Sequence, residues 1–154
     1  MSSVTIEKAK VVQTNPAATL VTHVSGVKFA IRIRSHEIMV DQTINGGGSD
    51  SAPTPIELLG AALGSCIAYY LHHFFHTRGL PADDIMVAVS QKSATNPNRV
   101  ESFDVRVALP AGVPPHYLPL LDRVIQACPA HNTLAPGARI SVTFNSPVEE
   151  LTTV

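Results

Sequence analysis

The sequence predicts an α+β fold in which antiparallel sheet packs around one dominant helix, and three observations lead there. Val27–Arg34, Ile85–Ser93 and Val100–Leu109 each alternate apolar and polar residues, the period of a strand with one buried face. Pro55–Arg78 is a single long helical stretch, uncharged from Leu58 to Leu71. The order of elements is strands, long helix, two strands, helix, strand, without the regular β–α alternation that a parallel sheet requires.

Composition narrows the class. With 154 residues the chain suits one domain spanning 1–154 and can bury a substantial core. It is 45% hydrophobic and 15% charged, and its formal net charge of −1 comes without a basic cluster, which argues against nucleic acid as a partner. The start, Met-Ser-Ser-Val-Thr-Ile-Glu-Lys, has no apolar core or small-residue cleavage site, so a cytoplasmic location is expected. In that compartment two cysteines point to redox chemistry, metal binding or inert burial more than to a structural bridge.

In chain order, Val4–Thr14 is an impure strand pattern closed by the turn Asn15-Pro16. Leu20–Val24 is a short strand, Ser25-Gly26 a hairpin turn, and Val27–Arg34 the alternating strand with Phe29, Ile31 and Ile33 on one face. His36–Val40 extends the sheet after a bend. Asp41–Thr54 has no apolar period and holds Gly46-Gly47-Gly48, which reads as a flexible entry to the helix. A phosphate cradle would need a Gly-Lys-Ser/Thr or GxGxxG context that is missing.

Thr54 and Pro55 supply a capping hydroxyl and a proline at the first helical position, and Glu57 places negative charge in the first turn. Gly60, Ala61, Ala62, Gly64, Ser65 and Ala68 are too small to fill a core, so this helix needs closely approaching backbone on most sides. Two such helices meeting in a homodimer would supply it. Gly60 and Gly64 also satisfy the small-xxx-small pattern of membrane helices. The uncharged run of about 14 residues falls short of the roughly 20 that span a bilayer, and no membrane role is expected. Gly79-Leu80-Pro81 ends the helix. Ile85–Ser93 and Val100–Leu109 form a hairpin across Thr95-Asn96-Pro97-Asn98, Tyr117–Ala127 is an amphipathic helix stopped by Pro129, and Arg139–Phe144 is a last strand.

Cys66, about three turns into the long helix, and Cys128 are the only cysteines. A reactive thiolate needs a cation or a helix N-terminus to lower its pKa. Cys66 is too deep in its helix to gain from the dipole, leaving Arg32 or Arg34 of the early strand as the available cations. Helical spacing sets Ala62, Tyr69, Tyr70 and His73 around Cys66, an apolar and aromatic setting. If Cys128 closes the preceding helix the dipole raises its pKa; if it caps a new turn at Pro129 the dipole lowers it. His131 stands ready as a proton donor. Both cysteines also suit plain apolar burial. In the cluster of His72, His73 and His76 the pairs 72/76 and 73/76 can share a helix face, which could take zinc with further ligands or form a wet helix end, and Asp83-Asp84 reads as a solvated turn.

Pro-Ile-Glu-Leu-Leu-Gly-Ala-Ala-Leu-Gly-Ser-Cys at 55–66 and Ala-Cys-Pro-Ala-His-Asn-Thr-Leu at 127–134 resemble the OsmC/Ohr family, the osmotically inducible and organic hydroperoxide resistance proteins. His36-Glu-Ile-Met-Val-Asp-Gln and the glycine-rich loop with Asp50 extend the likeness over most of the chain. The resemblance implies an intertwined homodimer with antiparallel sheets wrapped around two long central helices and active sites at the subunit interface. It implies Cys66 as peroxidatic thiolate, oxidised to a sulfenic acid, and Cys128 as the resolving cysteine that forms a disulfide with it. An organic hydroperoxide is then the substrate and an external dithiol the reductant, without metal or organic cofactor. The catalytic glutamate of the best-understood members falls at Ile56. Glu57, one residue and about 100° further round the helix, is the carboxylate present, a register that resembles an OsmC-like branch. The competing expectation is a dimeric protein that binds a small hydrophobic ligand in the same pocket without turnover.

Overall fold

The computed structural model describes residues 18–137, which divide into two compact units, one running up to Pro53 and the other starting at Thr54. The expected strands Val4–Thr14 and Arg139–Phe144 lie outside the described residues.

The first unit is a three-stranded antiparallel meander, β1 (Thr19–Ser25), β2 (Lys28–Ile33) and β3 (His36–Val40), in that spatial order. Register sets Val21, Ile31 and Ile38 across from one another, with Phe29 beside Val40. These side chains therefore share one face, as the alternation predicts. Much of that face is exposed among the described residues: Val21 is 54% exposed, Ile38 39% and Phe29 37%. Tight turns link the strands, with Gly26 and Arg34 both at positive φ. The strand thus ends at Ile33, and Arg34, expected within it, belongs to the turn.

The loop after β3 is ordered and closed on a buried carboxylate, which corrects the expectation of a flexible entry. Asp41 Oδ2 accepts hydrogen bonds from the Ser49 and Ser51 backbone N–H groups (3.2 and 3.1 Å) and hydroxyls (2.7 and 2.8 Å), and Oδ1 accepts from Gln42 N–H at 2.8 Å. These donors, led by the Ser49 hydroxyl, hold the Asp41 carboxyl far below the usual carboxylate range. The chain supplies its own anion, Asp41, to the donors of this glycine-rich loop. Gly48 makes the closure possible, because a Cβ there would collide with the Gln42 carbonyl oxygen.

The second unit is organised by α1 (Pro55–His76). Thr54 and Glu57 close a capping box at its start: Thr54 Oγ1 accepts from Glu57 N–H at 3.3 Å, and Glu57 Oε2 accepts from Thr54 N–H at 2.7 Å. Its end is a left-handed Gly79 (φ +64) with Leu80 N–H donating to Phe75 C=O at 3.0 Å. The helix stops at His76, two residues before the expected Arg78. One flank of α1 lies on the hairpin of β4 (Met86–Ala94) and β5 (Arg99–Ala108), the other on α2 (Leu118–Gln126) and α3 (Pro129–Leu134).

The core is a row along α1, Leu63, Ile67, Leu71, Phe74 and Phe75, joined by Leu121 and Cys128 and covered by Val87, Val89, Phe103, Val105 and Val107 of the hairpin. Burying each large aliphatic or aromatic side chain contributes about 1.5–3 kcal/mol. Length and apolarity would let α1 cross a bilayer, yet its apolar row is used in this core. Gly60 and Gly64 face β4, where the helix comes close to Val89. The small residues expected to be covered by backbone therefore split into two sets. The glycines meet the chain's own hairpin, whereas Ala61, Ala62 and Ser65 remain exposed.

Candidate active site

Cys66 and Cys128 are brought together. Cys66 is half-buried on α1 and packs against the core cluster that contains Cys128, which is fully buried; both are free thiols. Cys128 stands at the N-cap of α3, a helix the sequence pattern did not predict, and its carbonyl accepts from Asn132 N–H at 3.0 Å. Pro129 at the first helical position both stops α2 and starts α3.

Of the two settings weighed for Cys128, the structure selects the one at the start of a new helix. Its pKa is nevertheless raised. Burial is the main cause, and the neighbouring Cys66 side chain pushes the same way, outweighing the backbone N–H groups of His131 and Ala130. A helix of only six residues has too weak a dipole to overcome loss of water around the sulfur.

The other candidates are placed as follows. The Glu57 carboxylate is engaged with the Thr54 backbone N–H and hydroxyl, which lower its pKa, and it lines a cleft with Gly60, Gly64, Val89 and Gln91 on the β4 side of α1. Arg32 lies on the β2 face opposite Phe29 and Ile31 and pairs with Glu37 at 3.5 Å, both exposed. Arg34 occupies the β2–β3 turn. Both arginines belong to the first unit and both cysteines to the second.

Around Cys66, Tyr70 is partly buried against the core, while Tyr69 is 63% exposed and stacks on His73 with ring centroids 6.2 Å apart. His72 and His76 stack on each other at 5.8 Å. Two cavities flank the thiol pair without containing it. One, of about 450 Å³, lies between α1, β5 and α3 and is lined by Leu63, Ile67, Phe103, Val105 and Leu134, with His131 at its edge. The other, of about 430 Å³, lies between α1 and α2. Among the described residues the enclosed pocket expected over Cys66 is open, because Ala62, Ser65 and Tyr69 beside it are exposed.

The family model described as OsmC-like protein matches residues 47–143, more than half of the chain, including both cysteines. The chain belongs to the OsmC-like family. Its fold is similar to a Psychrobacter arcticus protein described as an osmotic stress induced and detoxification response protein, at 16% identity and a TM-score of 0.71 over 86% of this chain and 93% of that one. It also resembles a hypothetical protein from Aquifex aeolicus, at 18% identity and a TM-score of 0.66 over 78% and 87%. A third likeness is to the Legionella pneumophila organic hydroperoxide resistance protein OsmC, at 17% identity and a TM-score of 0.53 over 75% and 88%. No curated protein sequence matches the chain. At these identities the OsmC-like fold is what the solved structures share with this chain, and the mixed helix and antiparallel sheet expected from the sequence is that fold.

Proposed function

We propose that this OsmC-like protein is a thiol peroxidase that reduces organic hydroperoxides through Cys66 and Cys128. The observation that carries the reading is the pairing of a half-buried Cys66 with a fully buried Cys128 in one core. The description of the Legionella protein as an organic hydroperoxide resistance protein supports the choice of substrate.

The chemistry divides between the two sulfurs. Cys66 thiolate attacks the terminal hydroperoxide oxygen; the O–O bond breaks, the alkoxide takes a proton and leaves as alcohol, and Cys66 becomes a sulfenic acid. Cys128 then attacks the sulfenic sulfur. Its thiol proton leaves with the sulfenic hydroxyl as water and a disulfide forms. An external dithiol reduces the bridge by exchange and is itself oxidised. A fully buried thiol packed in the same core as Cys66 is suited to the second role, since it is shielded from bulk peroxide and lies beside the sulfur that is oxidised. Arg32 and Arg34 are the cations proposed to favour the Cys66 thiolate, and Glu57, about 13 Å before Cys66 along α1, is the carboxylate proposed to work with them.

The active unit in this reading is a homodimer in the cytoplasm. A second copy would cover Ala62, Ser65 and Tyr69 of α1 and close an apolar pocket over Cys66. The test is consumption of cumene hydroperoxide by the reduced protein with a dithiol, alongside Cys66→Ser and Cys128→Ser. Turnover should vanish in Cys66→Ser, and Cys128→Ser should accumulate a sulfenic acid that a dimedone-type reagent traps. Absence of turnover with thiols that stay reduced under peroxide would reject the reading in favour of ligand binding without chemistry.

A further inference from the structure

We propose that the groove between α1 and α2 is a binding subsite for a carboxylate carried on an apolar chain, and that it serves the thiol pair. The groove has a volume of about 430 Å³, within the range of small-molecule sites. Its floor is apolar, made by Phe74 of α1 with Leu120 and Val124 of α2, and two guanidinium groups, Arg78 and Arg123, stand on its lining. Among the described residues no carboxylate lines it. The three ion pairs among the described residues involve neither arginine.

Arg78 is held in place before any ligand arrives. Its Nη1 donates to the Phe74 carbonyl at 3.1 Å and to Thr77 Oγ1 at 3.3 Å, and its guanidinium carbon sits 3.8 Å from the centre of the Phe74 ring. That ring is in turn packed edge-on against Tyr117, with centroids 5.9 Å apart. Among the described residues the remaining guanidinium nitrogens of Arg78, and all those of Arg123, make no hydrogen bond to protein, so an anchored fork and an unpaired one face the same groove. Guanidinium forks match the two oxygens of a carboxylate. The groove also lies at the C-terminal end of α1, where the helix dipole is negative. That end, and the C-terminal end of α2 beside it, oppose any anion, so the attraction comes from the two guanidinium groups, and a doubly charged phosphate is opposed more than a monoanion.

The groove adjoins the cysteines at both of its walls. Tyr70 and His73 follow Cys66 by one and two turns on the same face of α1, and Ala127 directly precedes Cys128. From Phe74 back to Cys66 is about 12 Å along the helix, a span that an extended apolar chain can bridge. The carboxylate could arrive on the oxidant or on the thiol reductant; both share this chemistry. The link to the thiol pair rests on the peroxidase reading, whereas binding of the carboxylate does not.

The experiment titrates octanoate and, separately, the uncharged octanamide into full-length Cys66→Ser protein by calorimetry. Octanoate should bind at one site per chain, roughly tenfold more tightly than octanamide, the size of one charge-assisted hydrogen bond. That preference should shrink in high salt and disappear in Arg123→Gln, an exposed change whose fold is checked by circular dichroism, while Arg123→Lys keeps part of it. Equal affinity for the two probes, no octanoate binding, or an unchanged preference in Arg123→Gln would overturn the subsite. In the intact protein, octanoate that slows peroxide-dependent thiol loss assigns the groove to the oxidant, and octanoate that slows only re-reduction of the disulfide assigns it to the reductant. If octanoate binds and slows neither step in an active enzyme, the link to the thiol pair is overturned. Should the protein show no peroxide chemistry, the binding comparison still stands or falls by itself.

Discussion

Gly64 of α1 and Val89 of β4 meet so closely that a Cβ on the glycine would lie 2.9 Å from the valine Cγ2. One turn earlier, a Cβ on Gly60 would meet nothing nearer than Gln91 Oε1 at 3.6 Å, an ordinary contact. Two glycines four residues apart on one helix face thus have different reasons to be there.

Gly60→Ala is expected to raise stability by up to about 1 kcal/mol, because alanine costs less backbone entropy in a helix. Gly64→Ala should instead lower it by about 0–2 kcal/mol, the overpacking cost of roughly 1–3 kcal/mol less the same helical gain. Urea denaturation of both variants measures the contrast. Val89→Ala introduced with Gly64→Ala should relieve the clash, so the pair should be less destabilised than the sum of the single changes.

The raised pKa of Cys128 carries a sign for stability. A thiol whose folded pKa exceeds its unfolded value stabilises the fold fully below the unfolded pKa of about 8.5, and that contribution is lost as pH rises through the folded value. Reduced protein should therefore lose stability between neutral and strongly alkaline pH, and Cys128→Ala should show a flatter profile over the same range. Thermal melts in reductant from neutral to alkaline pH give the comparison; parallel profiles would mean that the sulfur is not the group responsible.

Thr54→Ala removes the hydroxyl of the capping box and should cost about 1 kcal/mol. Glu57 has a lowered pKa, so its stabilising charge is present at neutral pH and fades as pH falls below the unfolded carboxyl value of about 4.3 and through the folded one. Glu57→Gln should be less stable than the parent at neutral pH and converge with it in acid. Cumene hydroperoxide turnover by Glu57→Gln within about twofold of the parent would assign the carboxylate to capping; a loss at the scale of general acid–base catalysis, roughly a hundredfold, would assign it to the chemistry.

Ile38 lies on the apolar face of β3 and is 39% exposed within the chain. If that face is buried between two copies, Ile38→Lys places an unpaired charge in the interface and should shift the protein from dimer to monomer. Light scattering after size exclusion reads the mass directly, and a variant that remains fully dimeric would put the interface elsewhere.

Much of the second unit was legible because its strands alternate strictly: Val87 and Val89, and Phe103, Val105 and Val107, all turn inward as the period of two requires. The capping Thr54 and the left-handed Gly79 were equally local signals. Cys128 was harder to read. The sequence could pose its two helix-end settings, but the answer turned on burial by residues distant in the chain, and α3 is too short to announce itself by periodicity. Arg34 was missed as a turn residue because an arginine at positive φ has no compositional cue. The Asp41 loop was misread for a related reason: its order comes from one carboxylate and two serines eight and ten residues away, a pattern without apolar content.

Three identical letters in that loop encode three separate demands. At Gly46 a side chain would meet Gln42 Cβ and Thr43 Oγ1 at 3.3 Å, a crowding that small shifts can absorb. Gly47 has open space around it but a left-handed backbone, φ +84. Gly48 is constrained by volume alone, against a backbone oxygen that cannot move without breaking the closure on Asp41. A library randomised over the triplet would therefore return several small residues at the first position, glycine with some asparagine at the second, and glycine alone at the third. What looks like low-complexity filler therefore carries a different requirement at each of its three positions.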